Sequence, residues 1–352
     1  MTSTRAIPIF DGHNDTVQRL AEYREGGNDF LRRSTRGHLD LPRAREGGLF
    51  GGLFALMAHP DQPPQDDLTI TGNGYEVRLA GPLDPDEARR QITGQMASLF
   101  RLEGRAAGQV RIARTADEVE AACREGVFAM VLHLEGAEAI DPRLDCLEVL
   151  ARAGLRSLGP VWSRPNVFGH GVPFAYPRSP DTGPGLTPEG RALVRACNRL
   201  GVMLDVSHLN ERGFWDVAAL SDAPLVATHS NAHAVCPSTR NLTDQQLDAI
   251  RESDGLVGFN FAVNDVRPDA HLLADTPLDV VVRHLDYLVT RLGVDRVAFG
   301  SDFDGAVVPD VIGDASRLPH LIGALRTHGY DETTLRKLAS ENWRRVFRQT
   351  WK

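Results

Sequence analysis

Short apolar or β-branched runs alternate along this chain with longer segments in which apolar residues recur at helical spacing. Eight such runs occur, at residues 7–10, 51–56, 127–133, 155–161, 202–206, 225–227, 256–261 and 296–299. They predict strands, and the segments between them predict helices, so the pattern is the strand–helix alternation of a parallel sheet. Asp84-Pro85, Thr187-Pro188 and Thr276-Pro277 are start signals for three of the helices. Two long stretches, 57–83 and 163–187, carry the Gly, Pro and Asn content of loops. Eight strand–helix units suit a closed (β/α)8 TIM-type barrel, expected here as a single domain over residues 1–352, with any chemistry on the loops that follow the strand C-terminal ends.

Composition agrees with one large soluble domain and removes several classes of function. In 352 residues, 42% are hydrophobic and 24% charged, enough for a large core. The net charge is −8 and no Lys/Arg block occurs, which argues against nucleic acid as a partner. No apolar run approaches the roughly 18 residues of a membrane span. The stretch MTSTRAIPIFDGHND runs straight into the first predicted strand, leaving no room for a signal peptide, so a cytoplasmic location is expected. Four scattered cysteines without CxxC spacing read as reduced thiols.

The candidate chemistry sits where a barrel would place it. His13-x-Asp15 follows the first predicted strand, Glu135 the third, His208 the fifth, His229 the sixth, and Asp302 and Asp304 the eighth. Taken singly, each reads as a hydrogen-bonded loop residue or a turn former. Together, on one rim, histidines and carboxylates suit Zn²⁺ or a similar divalent ion at a catalytic site. In an extended HxD, residues i and i+2 point to one side, so His13 and Asp15 can grip one ion. Three histidines and two carboxylates exceed the protein ligands of one catalytic ion, whereas two ions can share a bridging carboxylate, for which Glu135 is the candidate. Asp302, facing that centre, could take the proton of the attacking water.

These motifs resemble the membrane (renal) dipeptidase family, the M19 metallopeptidases of the amidohydrolase superfamily. The resemblance rests on DGHND at 11–15, GGLFALMA at 51–58, HLEGAEAI at 133–140, LDVSHLN at 204–210, THSNAHAVCPSTRNLTDQQL at 228–247, VAFGSDFDG at 297–305 and LASENWRRVF at 338–347. It implies two Zn²⁺ per chain, one on His13 and Asp15, one on His208 and His229, with Glu135 between them. It implies Asp302 as proton shuttle and Arg240 on the substrate's free carboxylate. The implied activity is hydrolysis of a small dipeptide, with an L- or D-residue at its C-terminal position, by water activated at the metal pair. A related amidohydrolase acting on N-acyl amino acids or another small amide is the alternative, and a non-catalytic binding protein on an inherited barrel is a third reading. Pairing into a homodimer is expected by analogy.

One position departs from the family pattern. Trp162 stands where family members often carry a histidine near the scissile carbonyl, so Trp162 is a candidate substrate contact. Oxyanion help is then expected from the zinc ions alone, or from Arg164, Asn166 or His170 of the same long loop. His133 and His233 read as supporting residues; His38, His59, His271, His284, His320 and His328 sit in polar helices or loops and read as residues without a special role.

Overall fold

The computed structural model describes residues 7–60 and 68–352; residues 1–6 and 61–67, which include most of the HPDQPPQDD part of the first loop, lie outside the described residues. All eight predicted strands form: β1 (Ile9–Asn14), β2 (Leu49–Leu56), β3 (Phe128–Glu135), β4 (Leu155–Gly159), β5 (Met203–Leu204), β6 (Val226–Ser230), β7 (Leu256–Phe259) and β8 (Val297–Phe299). β1 to β5 pair in parallel in sequence order, and so do β6 to β8. Single parallel bridges, Asp205 to Val226 and Asn14 to Phe303, join the two arcs into a TIM-type barrel.

Both seams are stitched by a buried aspartate. At one, Asp11 accepts from the Ser301 N–H (2.7 Å) and hydroxyl (2.8 Å), and the Asp15 N–H donates to Phe303 O (2.8 Å). At the other, β5 is only two residues long, and Asp205 Oδ1 accepts from the Thr228 N–H at 2.8 Å, so a carboxylate takes over from the backbone ladder. Buried backbone donors have to be satisfied somewhere, and these side chains do it where the strands part.

Strand alternation sorts the core into two layers. Along β3, Met130, Leu132 and Leu134 pack outward against the helices, while Ala129 and Val131 face the barrel interior with Phe10, Leu53, Met203, Val226, Leu256 and Ala298. The C-terminal helix Asn342–Thr350 closes the lower end by inserting Trp343, Val346 and Phe347 among them. A Cβ on Gly12 would stand 2.2 Å from Trp343 and 2.7 Å from Thr228 O, so this glycine of the DGHND motif is a packing requirement.

Elsewhere the structure adds to the expected elements. The strand Val110–Ile112 fills the edge of β3 up to Met130, before β4 takes over at Leu132. Arg111 in its middle leaves no continuous apolar run to mark it. The two predicted rim loops are partly strand: Leu68–Ile70 and Tyr75–Val77 form a hairpin that pairs antiparallel with Ala175–Tyr176. Of the three expected helix starts, Asp84 and Thr187 cap as predicted, accepting from Glu87 and Gly190 N–H groups. Thr276 does not; its hydroxyl donates to Leu273 O and Pro277 takes the cap position of helix Leu278–Leu292.

Candidate metal centre

The C-terminal ends of β1, β3 and β6, with the segments after β5 and β8, bring His13, Asp15, Glu135, His208, His229 and Asp302 to one point. β3 delivers its residues by plain alternation, His133 and Glu135 continuing the inward row of Ala129 and Val131. β1 and β6 do not. From Phe10 and Gly12, which face Trp343 inside the barrel, strict alternation would send His13 outward, and from inward Val226 it would send His229 outward. Each strand has a register shift at the required place, between Asp11 and Asn14 and between Ala227 and Ser230. Such irregularities re-aim side chains beside active sites. Asp15 is not extended (φ −98°, ψ 20°), so the pairing of His13 with Asp15 arises from this break and not from the expected i, i+2 alternation.

The donor atoms form two adjoining groups on the two oxygens of Glu135. On one side His13 Nε2 lies 3.5 Å from Glu135 Oε2 and 3.5 Å from Asp15 Oδ2. On the other, His208 Nε2 is 3.0 Å from Glu135 Oε1, His229 Nε2 is 3.6 Å from it, and the two nitrogens are 3.0 Å apart. Ligand atoms around a tetrahedral zinc at about 2.0–2.1 Å are themselves about 3.3 Å apart, so both groups have the spacing of a coordination shell. His13 Nδ1 and Nε2 are buried without a hydrogen-bond partner. His13, Glu135 and His229 form one trio close enough to share an ion, and Asp302 forms a second with His13 and Asp15.

Electrostatics points the same way. Burial alone would keep His13 neutral, yet Glu135, Asp15 and Asp302 outweigh it and raise the imidazole to about 10. Burial raises Glu135 to about 8 and Asp302 to about 6, with neighbouring carboxylates adding to both. Burial, reinforced by Arg240 and His13, holds His208 and His229 far below the usual histidine range, leaving both as neutral lone-pair donors. A cluster that draws a proton onto a buried imidazole is one that would hold a metal cation.

The backbone at this rim is strained. His208 (φ +65°), Asp302 (φ +59°) and Asp304 (φ +71°) occupy the left-handed region, at a cost of about 1–3 kcal/mol each for residues with a side chain. His208 is held there by Val172 N–H donating to its carbonyl (2.9 Å) and by Ser163 Oγ on Nδ1 (2.8 Å). Asp304 accepts from the Thr16 hydroxyl (2.8 Å) and the His38 N–H (2.7 Å), and so organises the loop rather than facing the donors.

Above the donors opens a cavity of about 660 Å³ lined by Asp15, Glu135, His208, His229, Asp302, Arg240 and Trp162. Trp162 packs edge-on to Phe174 (5.6 Å) and beside His208 (5.8 Å). Arg240 is buried, donates to His229 O (3.1 Å), and forms no ion pair with a carboxylate among the described residues. The expected oxyanion donors are elsewhere. Arg164 is committed to Glu138 (2.8 Å) and Ala58 O (2.6 Å), Asn166 donates to Pro160 O (2.8 Å), and none of Arg164, Asn166 and His170 lines the cavity. The short hairpin of Pro165–Asn166 with Gly169–His170 fixes the loop in that arrangement.

Sequence reasoning passed over Asp205, Ser163, Thr228 and Asn260, which hold the donor side chains. Asp205 and Thr228 stand in the LDVSHLN and THSN motifs, but nothing in their spacing reveals the bond between them. His284 and His38, expected to carry no particular role in their helix and loop, each hold a neighbouring backbone group. His284 is fully buried, bonded to Val266 O and accepting from the Ala232 N–H, and His38 Nδ1 accepts from the Asp304 N–H.

The family model for membrane dipeptidase, peptidase family M19, matches residues 3–352. The chain belongs to this family. A metallopeptidase from Rhodobacter sphaeroides, solved with a phosphinate mimic of the dipeptide L-Ala-D-Ala, is 49% identical over 99% of this chain and 100% of its own, with a TM-score of 0.90. The solved structure of dipeptidase AC, of family M19, is 50% identical over 99% of both chains, again at 0.90. Dipeptidase tcpJ of Claviceps purpurea is 27% identical over 99% of this chain and 80% of its own. The M19 chain described here is accordingly a metal-dependent hydrolase of the dipeptidase type. No helix among its described residues is long and apolar enough to cross a membrane.

Proposed function

We propose that this M19 enzyme holds two zinc ions and cleaves dipeptides that carry an L- or D-residue at the C-terminal position. The observation behind the two-ion reading is the split of donors across Glu135: His13 and Asp15 facing one carboxylate oxygen, His208 and His229 the other. Bound there, the ions would acidify the attacking water and polarise the scissile carbonyl, the first of the two sources of oxyanion help expected in the absence of a histidine at Trp162. Asp302 accepts the proton as water adds to the carbonyl carbon, and gives it to the amine as the C–N bond breaks, leaving a carboxylate and a free amino acid. The hydrogen bond from Asn260 Nδ2 to Asp302 Oδ2 (2.9 Å) fixes one carboxylate oxygen and leaves the other for this exchange.

Arg240 receives the C-terminal carboxylate. It is a buried guanidinium at the cavity wall that forms no ion pair with a carboxylate among the described residues, and a planar fork matches that group. Trp162 and Phe174 supply an apolar wall beside His208 for a substrate side chain. Acceptance of a D-residue draws on the L-Ala-D-Ala mimic bound by the Rhodobacter sphaeroides relative.

The deciding experiment is metal analysis of the purified protein together with turnover of L,L- and L,D-dipeptides beside N-acyl amino acids. About two zinc ions per chain with dipeptide hydrolysis is the expected result; turnover confined to N-acyl amino acids would replace this reading with the amidohydrolase alternative. Arg240→Ala is expected to raise KM for dipeptides and lower kcat/KM by about ten- to hundredfold, the loss of one charge-assisted pair of about 1.5–3 kcal/mol. A C-terminally amidated substrate should lose far less. Equal losses on both would show that Arg240 does not bind the carboxylate.

A further inference from the structure

We infer that Asp205 is a positioning residue that dictates which nitrogen of His229 is free to bind metal, an inference that rests on the two-ion reading above. Asp205 is 1% exposed and follows β5, three residues before His208. Its Oδ1 accepts from the Ser207 N–H (2.9 Å) and the Thr228 N–H (2.8 Å). Its Oδ2 accepts from the Thr228 hydroxyl at 2.6 Å. A carboxylate has no hydrogen to give, so the Thr228 hydroxyl must be the donor in that bond.

With its hydrogen committed to Asp205, Thr228 Oγ1 offers only lone pairs to His229 Nδ1, 2.9 Å away. Nδ1 must therefore carry the ring hydrogen. Nε2 then keeps the lone pair that faces Glu135 and His208, which is the form a metal ligand needs. Ser207 Oγ, accepting from the His229 N–H at 3.2 Å, anchors the same residue at its backbone. One carboxylate thus closes the β5–β6 seam and selects the tautomer of a ligand across it.

Asp205→Asn reverses this logic while keeping size. The amide oxygen can still accept from the two N–H groups, but the amide nitrogen then faces Thr228 Oγ1 and donates to it. The Thr228 hydroxyl is left to donate to His229 Nδ1, which pushes the ring hydrogen onto Nε2 and covers the metal-binding lone pair. The same inversion of a histidine by Asp→Asn is documented in serine proteases.

The test is titration of metal-free protein with Zn²⁺ against a chelating indicator, for the unaltered chain, Asp205→Asn, Thr228→Val and Thr228→Ser. Both Asp205→Asn and Thr228→Val should bind one of the two ions about 10- to 100-fold more weakly, the usual effect of losing a ligand's hydrogen-bond partner. Thr228→Ser, which keeps the hydroxyl, should bind both ions like the unaltered chain. Unchanged affinity in Asp205→Asn and Thr228→Val overturns the inference, and so does a Thr228→Ser variant as weak as Thr228→Val, since packing of the methyl group would then be the cause. Should Asp205→Asn not fold, the two Thr228 variants decide the matter. An unaltered chain that takes up only one ion overturns the two-ion reading and the inference with it, whereas two ions with no dipeptide turnover leaves the inference standing and removes the proposed substrate.

Discussion

Glu135→Gln is expected to release metal from both halves of the centre at once and to lower kcat on dipeptides by on the order of 10³-fold or more. The Glu135 carboxylate faces all three histidines, through Oε2 to His13 and Oε1 to His208 and His229. Glutamine keeps the volume but offers one oxygen, so it can serve one group of donors and not the other. Metal ions contribute several kcal/mol to such hydrolyses, and each 1.36 kcal/mol is tenfold in rate. Folding should survive the change. Burial already pushes the Glu135 carboxyl up to about 8, which means that its charged form is costly there, and a neutral amide removes that cost. The measurements are metal content by elemental analysis, kcat, and thermal unfolding of the metal-free proteins. A variant that keeps two ions and full activity would rule out a bridging role; a metal-free variant much less stable than the metal-free unaltered chain would trace the loss to misfolding.

For Asp302→Asn the expectation is opposite in one respect: activity falls by about 10²- to 10⁴-fold, the usual share of a general acid–base, while both ions stay bound. Asparagine preserves the shape and the contact with Asn260, but its amide cannot take up or return a proton at neutral pH. KM for dipeptides should change little, because Arg240 and the aromatic wall are untouched. Asp302 also stands with His13 and Asp15 in a trio close enough to ligate, so metal content separates the two roles. Loss of one ion in Asp302→Asn would make Asp302 a ligand, and the shuttle would have to be sought elsewhere.

Much of the architecture could be read from the chain. Apolar runs separated by helical periods located eight barrel strands to within a few residues, because a strand buried on both faces needs uninterrupted apolar residues and a covering helix needs its own spacing. Val110–Ile112 and the hairpin Leu68–Ile70 with Tyr75–Val77 escaped because a polar residue, Arg111, Thr69 or Glu76, interrupts each short stretch and leaves no continuous apolar run. The set of candidate donors was likewise visible, since a barrel sends whatever follows its strands to one rim.

How those donors arrive there was settled by tertiary structure. Alternation along β1 and β6 would have turned His13 and His229 outward, and register shifts against neighbouring strands correct both. No local pattern announces such a shift, because it depends on the partner strand. Trp162 shows the same division: its identity was plain, but only the folded loop shows that Arg164 is held by Glu138 and Asn166 by Pro160 O, away from a substrate. The chain by itself determined which candidate cation donors are present and in what order the barrel presents them. The folded molecule decided their aim, their protonation and their support, since a bond such as Asp205 to Thr228 joins residues 23 apart in sequence that meet only when the barrel closes.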